Sequence, residues 1–152
     1  MIHGFETGFL VAAEVVERPD HDGVWRRIRE LKVQGDSFAL TAAVLAEFIH
    51  IVTDPRRFKL PLTIAQALTE AGGWMDASDV EHVSPDDRAV KWFFEAVAMH
   101  RLGRKRVLDT MVAATYRQAG ITSLLTLNGQ DFEIFGDFTC MGPVADSAPD
   151  LR

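Results

Sequence analysis

Leu108-Asp109-Thr110-Met111-Val112-Ala113-Ala114-Thr115-Tyr116-Arg117-Gln118-Ala119-Gly120-Ile121-Thr122-Ser123-Leu124-Leu125 is the stretch that decides the fold class. Leu108 to Gln118 is nearly all apolar, so a helix there has no wide polar face and must be buried. Gly120 supplies a helix stop. Ile121–Leu125 then reads as a buried strand.

The same alternation extends upstream. Met1–Phe5 reads as a strand, Gly8–Val16 as a short helix, and Asp22–Lys32 as an amphipathic helix through Val24, Trp25, Ile28 and Leu31. Ser37–Leu40 is a short strand, and Thr41 is the expected N-cap of a helix reaching about Thr53, before Pro55. Thr63 caps a helix from Ile64 to about Ala71, which Gly72-Gly73 should end. Val80–Val83 is a strand. Ser84-Pro85-Asp86-Asp87 starts a helix to about Leu102, with Ser84 as cap and Pro85 in the first position. Downstream, Thr126 to Phe132 is a turn and Phe138-Thr139-Cys140 a last short strand. Short strands alternating with helices predict an α/β fold of three layers. Its central, mostly parallel sheet has four to five short strands, with helices on both faces. Ligands in such folds sit beyond the carboxyl ends of the strands. One domain is expected over residues 1–143, with a disordered tail over 144–152.

The 152 residues are enough for one domain with a substantial core. No apolar run approaches the roughly 20 residues of a membrane span, and the N-terminus lacks the form of a secretory signal. Cys140 is the single cysteine, which excludes an intrachain disulfide and a Cys-rich zinc site and favours the cytoplasm. The formal net charge of −6 argues at first against a nucleic-acid partner. Bound cations would offset acids, however, and the bases are clustered: Arg26-Arg27-Ile28-Arg29, Arg56-Arg57-Phe58-Lys59, and Arg101 to Arg106. Local potential governs what a ligand meets. Arg56, Arg57, Arg104, Lys105 and Arg106 are therefore the residues through which RNA would be held, the alternative being solvated helix faces and loop ends.

Four acids occupy awkward places. At 100° per residue, Val44, Phe48, Ile51 and Val52 fall within about 100° of one another, and Glu47 lies about 40° from Ile51 at the edge of that stripe. A carboxylate there faces inward unless an ion pair or snorkelling draws it out. Asp109 opens an otherwise apolar helix, either as an N-cap or as a ligand that uses its free oxygen. Glu6 follows the first strand, where a solvated loop acid or a first-turn acid is the plain alternative. Asp131 lies just past the best strand, where turn chemistry would also explain it. All four belong at one edge of the same sheet. Other chemistries are excluded. There is no GxxxxGK[ST] loop, no GxGxxG, no GxSxG and no HExxH among the five histidines.

In this order the elements and acids resemble the PIN-domain family, in particular the VapC-type toxins of toxin–antitoxin pairs. That family opens with a strand ending in Asp-Thr-Asn or Asp-Thr-Gly and an apolar run, matched by Phe5-Glu6-Thr7-Gly8-Phe9-Leu10-Val11-Ala12. Its second acid is matched by Val44-Leu45-Ala46-Glu47-Phe48, its third by Leu108-Asp109-Thr110-Met111-Val112-Ala113-Ala114, and its last block by Thr126 to Phe132. The likeness covers residues 1–142. It implies a ribonuclease dependent on Mg²⁺ or Mn²⁺, with Glu6, Glu47, Asp109 and Asp131 catalytic. Glu6, Asp109 and Asp131 would ligate the metal, and Glu47 would bind it or orient the attacking water. Thr7 and Thr126 would position water or carboxylates, and Asn128 would shape the turn. The implied partners are an RNA substrate, a small VapB-type antitoxin and a second copy of the chain in a homodimer. The departure is Glu6, where the family has Asp. An extra methylene moves the carboxylate by more than an ångström unless the backbone compensates, and such a shift costs on the order of 10²-fold in rate. The alternatives are a catalytically weakened PIN scaffold that binds RNA or an antitoxin without efficient cleavage, and a phosphohydrolase of small phosphates or DNA.

Overall fold

Strand β1 (Ile2–Phe5) lies at the centre of a parallel sheet in the computed structural model, which describes residues 1–146. The other strands are β2 (Ser37–Thr41), β3 (Val80–Val83), β4 (Ser123–Leu125) and β5 (Thr139–Met141). Their order is β3-β2-β1-β4-β5, and every pairing is parallel, as the buried αβ unit at 108–125 requires. The connecting helices are α1 (Thr7–Glu14), α2 (His21–Val33), α3 (Ala42–Val52), α4 (Ile64–Asp76), α5 (Asp87–Met99), α6 (Val107–Gln118) and the short α7 (Gln130–Glu133). This is the expected three-layer α/β fold. Among the described residues no helix is long and apolar enough to cross a membrane.

Side chains alternate across β1 and so assign the two faces. Phe5 turns to one side and meets Phe9 of α1, Phe38 of β2 and Trp74 of α4, with ring centroids 5.1–6.1 Å apart. Gly4 turns to the other side, against Tyr116 of α6. The fully buried Tyr116 donates its hydroxyl to the carbonyl of Phe5 at 2.6 Å and to that of Ala39 at 3.1 Å. One hydroxyl thus ties α6 to both central strands. At the amino ends of the strands, buried His3 bridges Ser123 Oγ at 2.6 Å and Asp36 at 2.9 Å.

Three local expectations are corrected. Helix α4 does not stop at Gly72-Gly73 but continues to Asp76. Two mid-helix glycines cost about 1 kcal/mol each. Burial of Ala71 and Trp74, and the Trp74 Nε1–H bond to Glu14 at 2.7 Å, offset that cost. Helix α5 is capped by Asp86, not Ser84; the Asp86 carboxylate accepts the N–H groups of Arg88 and Ala89 at 2.9 and 3.1 Å. The same helix ends at Met99 because Arg101 turns left-handed at φ 50°. Of the tail expected over 144–152, residues 144–146 are described. The Val144 N–H donates to Gly23 O at 3.0 Å, and Arg26 pairs with Asp146. Residues 147–152 of that expected tail lie outside the described residues.

A Cβ on Gly4 would stand 2.9 Å from two atoms of the Tyr116 ring. Gly4→Ala is therefore expected to destabilise the chain by about 1–3 kcal/mol through overpacking, read as a lower urea midpoint with an unchanged m value.

Candidate active site

Glu6 leaves the carboxyl end of β1 with its N–H bonded to Leu125 O at 3.0 Å, so the β1–β4 ladder carries it to the sheet edge. Its side chain is the N-cap of α1. Oε1 accepts the Gly8 N–H at 3.0 Å and Oε2 accepts the Thr126 hydroxyl at 3.2 Å. At 8% exposure it is not a solvated loop acid. Thr126 is fixed in turn, its N–H donating to Met141 O and its Oγ accepting the Asn128 N–H, both at 3.0 Å. Thr7 is buried at the start of α1.

Glu47 is half-buried on α3, directly after β2, on the edge of the apolar stripe that helix geometry assigned it. Asp109 is half-buried in the first turn of α6. It is not the cap: the cap position is Arg106, and Asp109 accepts no backbone N–H. Neither Glu47 nor Asp109 has a hydrogen-bond or salt-bridge partner among the described residues. Capping, ion pairing and snorkelling are therefore not what places them here.

Glu6, Glu47 and Asp109 each offer a carboxylate oxygen, and the three oxygens all lie within 4.8 Å of one another. The electrostatic consequence is visible. Burial pushes Glu6 up from 4.5 to about 7, with Asp109 and Glu47 adding repulsion against the lowering bonds from Gly8 and Thr126. Burial, then the Glu47 charge, pushes Asp109 up from 3.8 to about 6; Arg106 pulls it down and Asp131 adds a smaller upward push. Three hard oxygen donors with too little positive charge nearby fit a small divalent cation such as Mg²⁺ or Mn²⁺.

The fourth expected acid lies outside this group of three but near enough to add to the repulsion on Asp109. Asp131, in the first turn of α7, is 39% exposed and pairs with Arg106 at 3.3 Å. Asn128 is exposed, and its carbonyl accepts the Asp131 N–H at 3.0 Å. Arg56 and Arg57, after α3, are exposed and paired with Asp54 at 3.3 and 3.5 Å. Arg104 and Lys105 are exposed in the 3₁₀ turn (Arg104–Arg106) that leads into α6. Two features escaped the sequence reading. The Glu6 cap bond hides behind a residue type outside the usual capping set. The Arg106–Asp131 pair joins residues 25 apart; the visible hint was only that Arg106 and Asp109 share a helix face at i, i+3.

A family model described as PIN domain matches residues 5–136. No curated protein matches the sequence. Among solved structures, VapBC2 of Rickettsia felis bound to a DNA fragment from its promoter is similar at 18% identity and TM-score 0.67, over 94% of this chain and 99% of that one. VapC20 of Mycobacterium tuberculosis, a sarcin–ricin loop cleaving toxin, is similar at 21% identity and TM-score 0.66, over 90% and 96%. VapBC-1 of nontypeable Haemophilus influenzae is similar at 16% identity and TM-score 0.67, over 93% and 98%.

Glu6 and Asp109 hold protons more tightly in the folded chain than in an unfolded one. Stability is therefore greatest below about pH 4 as far as these groups go, falls as pH rises from 3.8–4.5 through about 6–7, and levels off above. Glu14, pushed up to about 7 by burial and by Glu70, adds the same sign from elsewhere. Mg²⁺ or Mn²⁺ should therefore raise the melting temperature more at pH 8 than at pH 5 and remove part of the pH slope. Glu6→Gln should flatten the slope without added metal. Equal melting shifts at both pH values would count against the cluster as a cation site.

Proposed function

The chain belongs to the PIN-domain family, and from that membership we propose that it is a metal-dependent endoribonuclease of the cytoplasm, the toxin of a toxin–antitoxin pair. The observation that carries this reading is the gathering of Glu6, Glu47 and Asp109, from three elements distant in sequence, within 4.8 Å at the carboxyl edge of the sheet. The likeness to VapBC complexes and to a toxin that cleaves the sarcin–ricin loop supports RNA as substrate and a small VapB-type antitoxin as partner, with a homodimer as the working assembly.

Glu6, Glu47 and Asp109 would hold the divalent cation, Mg²⁺ or Mn²⁺. Once bound, that ion lowers the pKa of a coordinated water and offsets charge developing on the phosphodiester. The protein's own part is positioning. Gly8 N–H and the Thr126 hydroxyl occupy one lone pair on each Glu6 oxygen, fixing the carboxylate while leaving acceptor capacity on both. Glu47, which has no hydrogen-bond partner among the described residues, would use its other carboxylate oxygen to orient a water and take its proton. Thr7 is buried at the start of α1, next to Glu6 in the chain, and Asn128 holds the turn that carries Thr126. Arg56, Arg57, Arg104 and Lys105 are exposed and supply positive potential for the RNA backbone.

The Glu6 arrangement favours a working enzyme over a weakened scaffold. Its longer arm curls back to cap α1, and that curl keeps the carboxylate with its two partners. Purified protein with Mg²⁺ or Mn²⁺ is expected to cleave single-stranded RNA. Asp109→Asn should reduce the rate by at least about 10²-fold with no loss of melting temperature, since Asp109 caps nothing. Full cleavage by that variant would refute the site.

A further inference from the structure

Arg106 stands where α6 begins, one turn before Asp109. Its guanidinium is held from one side by a single residue: Nη1 lies 3.3 Å from Asp131 Oδ1, and Nη2 donates to the Asp131 backbone carbonyl. The Arg106 carbonyl accepts the Thr110 hydroxyl at 2.6 Å, which fixes the backbone that carries it. A guanidinium has five N–H donors in a rigid fork. Asp131 takes two of them, and the buried Nε–H takes no partner among the described residues. The side chain is nevertheless 23% exposed, so part of the fork still faces outward.

Charge counting bears on what such a fork could do. Three ionised carboxylates and a divalent cation leave one net negative charge, and a phosphodiester adds another. A phosphodiester approaching that edge is favoured by a fixed cation beside the acids. Among the described residues, Arg106 is the base that offsets the charge on Asp109, to which Asp131 adds repulsion. Asp131 lies outside the three-acid group and turns Oδ1 to the guanidinium.

Building on the nuclease reading, we propose that Arg106 contacts the RNA phosphate at this site and that Asp131 is its positioning residue rather than a ligand of the divalent cation. Arginine suits the task because its planar fork meets two phosphate oxygens together, whereas lysine supplies a point charge. Anchoring through Nη1 and Nη2 on one side orders the fork before RNA arrives, so less rotamer entropy is lost on binding.

The test uses the full chain with two readouts that do not depend on turnover. Mn²⁺ affinity, by electron paramagnetic resonance, should stay near wild type in Arg106→Ala and Asp131→Asn but fall about 10-fold or more in Asp109→Asn. Anisotropy of a fluorescent single-stranded RNA should show about 10–100-fold weaker binding by Arg106→Ala, the worth of a charge-assisted contact. Its salt slope should drop by about 0.7, one phosphate contact on a single strand. Arg106→Lys should recover part of the affinity and guards against a mere folding defect. Asp131→Asn should raise the KM for cleavage with little change in kcat. If Asp131→Asn weakens Mn²⁺ as much as Asp109→Asn does, the positioning role is overturned. If Arg106→Ala keeps wild-type RNA affinity and salt slope, the phosphate contact is overturned. A wild type that binds RNA without cleaving it fails the nuclease reading and still tests Arg106; one that does neither overturns both.

Discussion

Like-charge repulsion among Glu6, Glu47 and Asp109 is the constraint around which the rest of the structure is arranged. Left to themselves, three carboxylates within 4.8 Å would separate or take up protons. Among the described residues only Glu6 of the three receives hydrogen bonds, and the charge of Arg106 relieves Asp109 only in part. Burial of Glu6 makes the position dearer still. A local arrangement that raises the free energy persists only when the surroundings over-determine it.

The over-determination comes from packing across β1. Each acid rides on a different element: Glu6 on the end of β1, Glu47 on α3 after β2, and Asp109 on α6 before β4. Any slip of α6 along the sheet would carry Asp109 away. The Tyr116 hydroxyl prevents this by binding Phe5 O and Ala39 O together, and the missing side chain at Gly4 leaves room for the ring beside the strand. On the opposite face the aromatic packing of Phe5, Phe9, Phe38 and Trp74 holds α1 and α4 to the same strands. Core and site are thus one mechanical unit, with the repulsion borne by apolar burial elsewhere.

Much of this was legible in the sequence because hydrophobic period and turn chemistry act locally. The buried αβ unit at 108–125 implied the parallel sheet, and the 100° rule placed Glu47 at the edge of its stripe. The failures have a common cause, a distant contact overruling a local signal. Gly72-Gly73 failed to stop α4 because Trp74 is buried and bonded to Glu14, 60 residues away. Asp109 looked like a cap because Asp often is one, and only the helix's actual start, two residues earlier at Val107, removes that explanation. Pairing of Arg106 with Asp131 depends on how α7 folds back on α6, which no spacing in the sequence encodes.

Glu6 shows how a fold absorbs a change in one of its own site residues. A glutamate in place of aspartate would overshoot if its arm were extended. Here the N-cap position bends it, because the orphan Gly8 N–H at the start of α1 attracts a carboxylate and the helix dipole adds to that attraction. The extra methylene is taken up in the bend, and Thr126 fixes the second oxygen. Residue 6 therefore satisfies two demands with one group, closing the end of a helix and facing the acids of two others. Any side chain that served only one of them would leave either an unpaired buried N–H or an incomplete acid cluster.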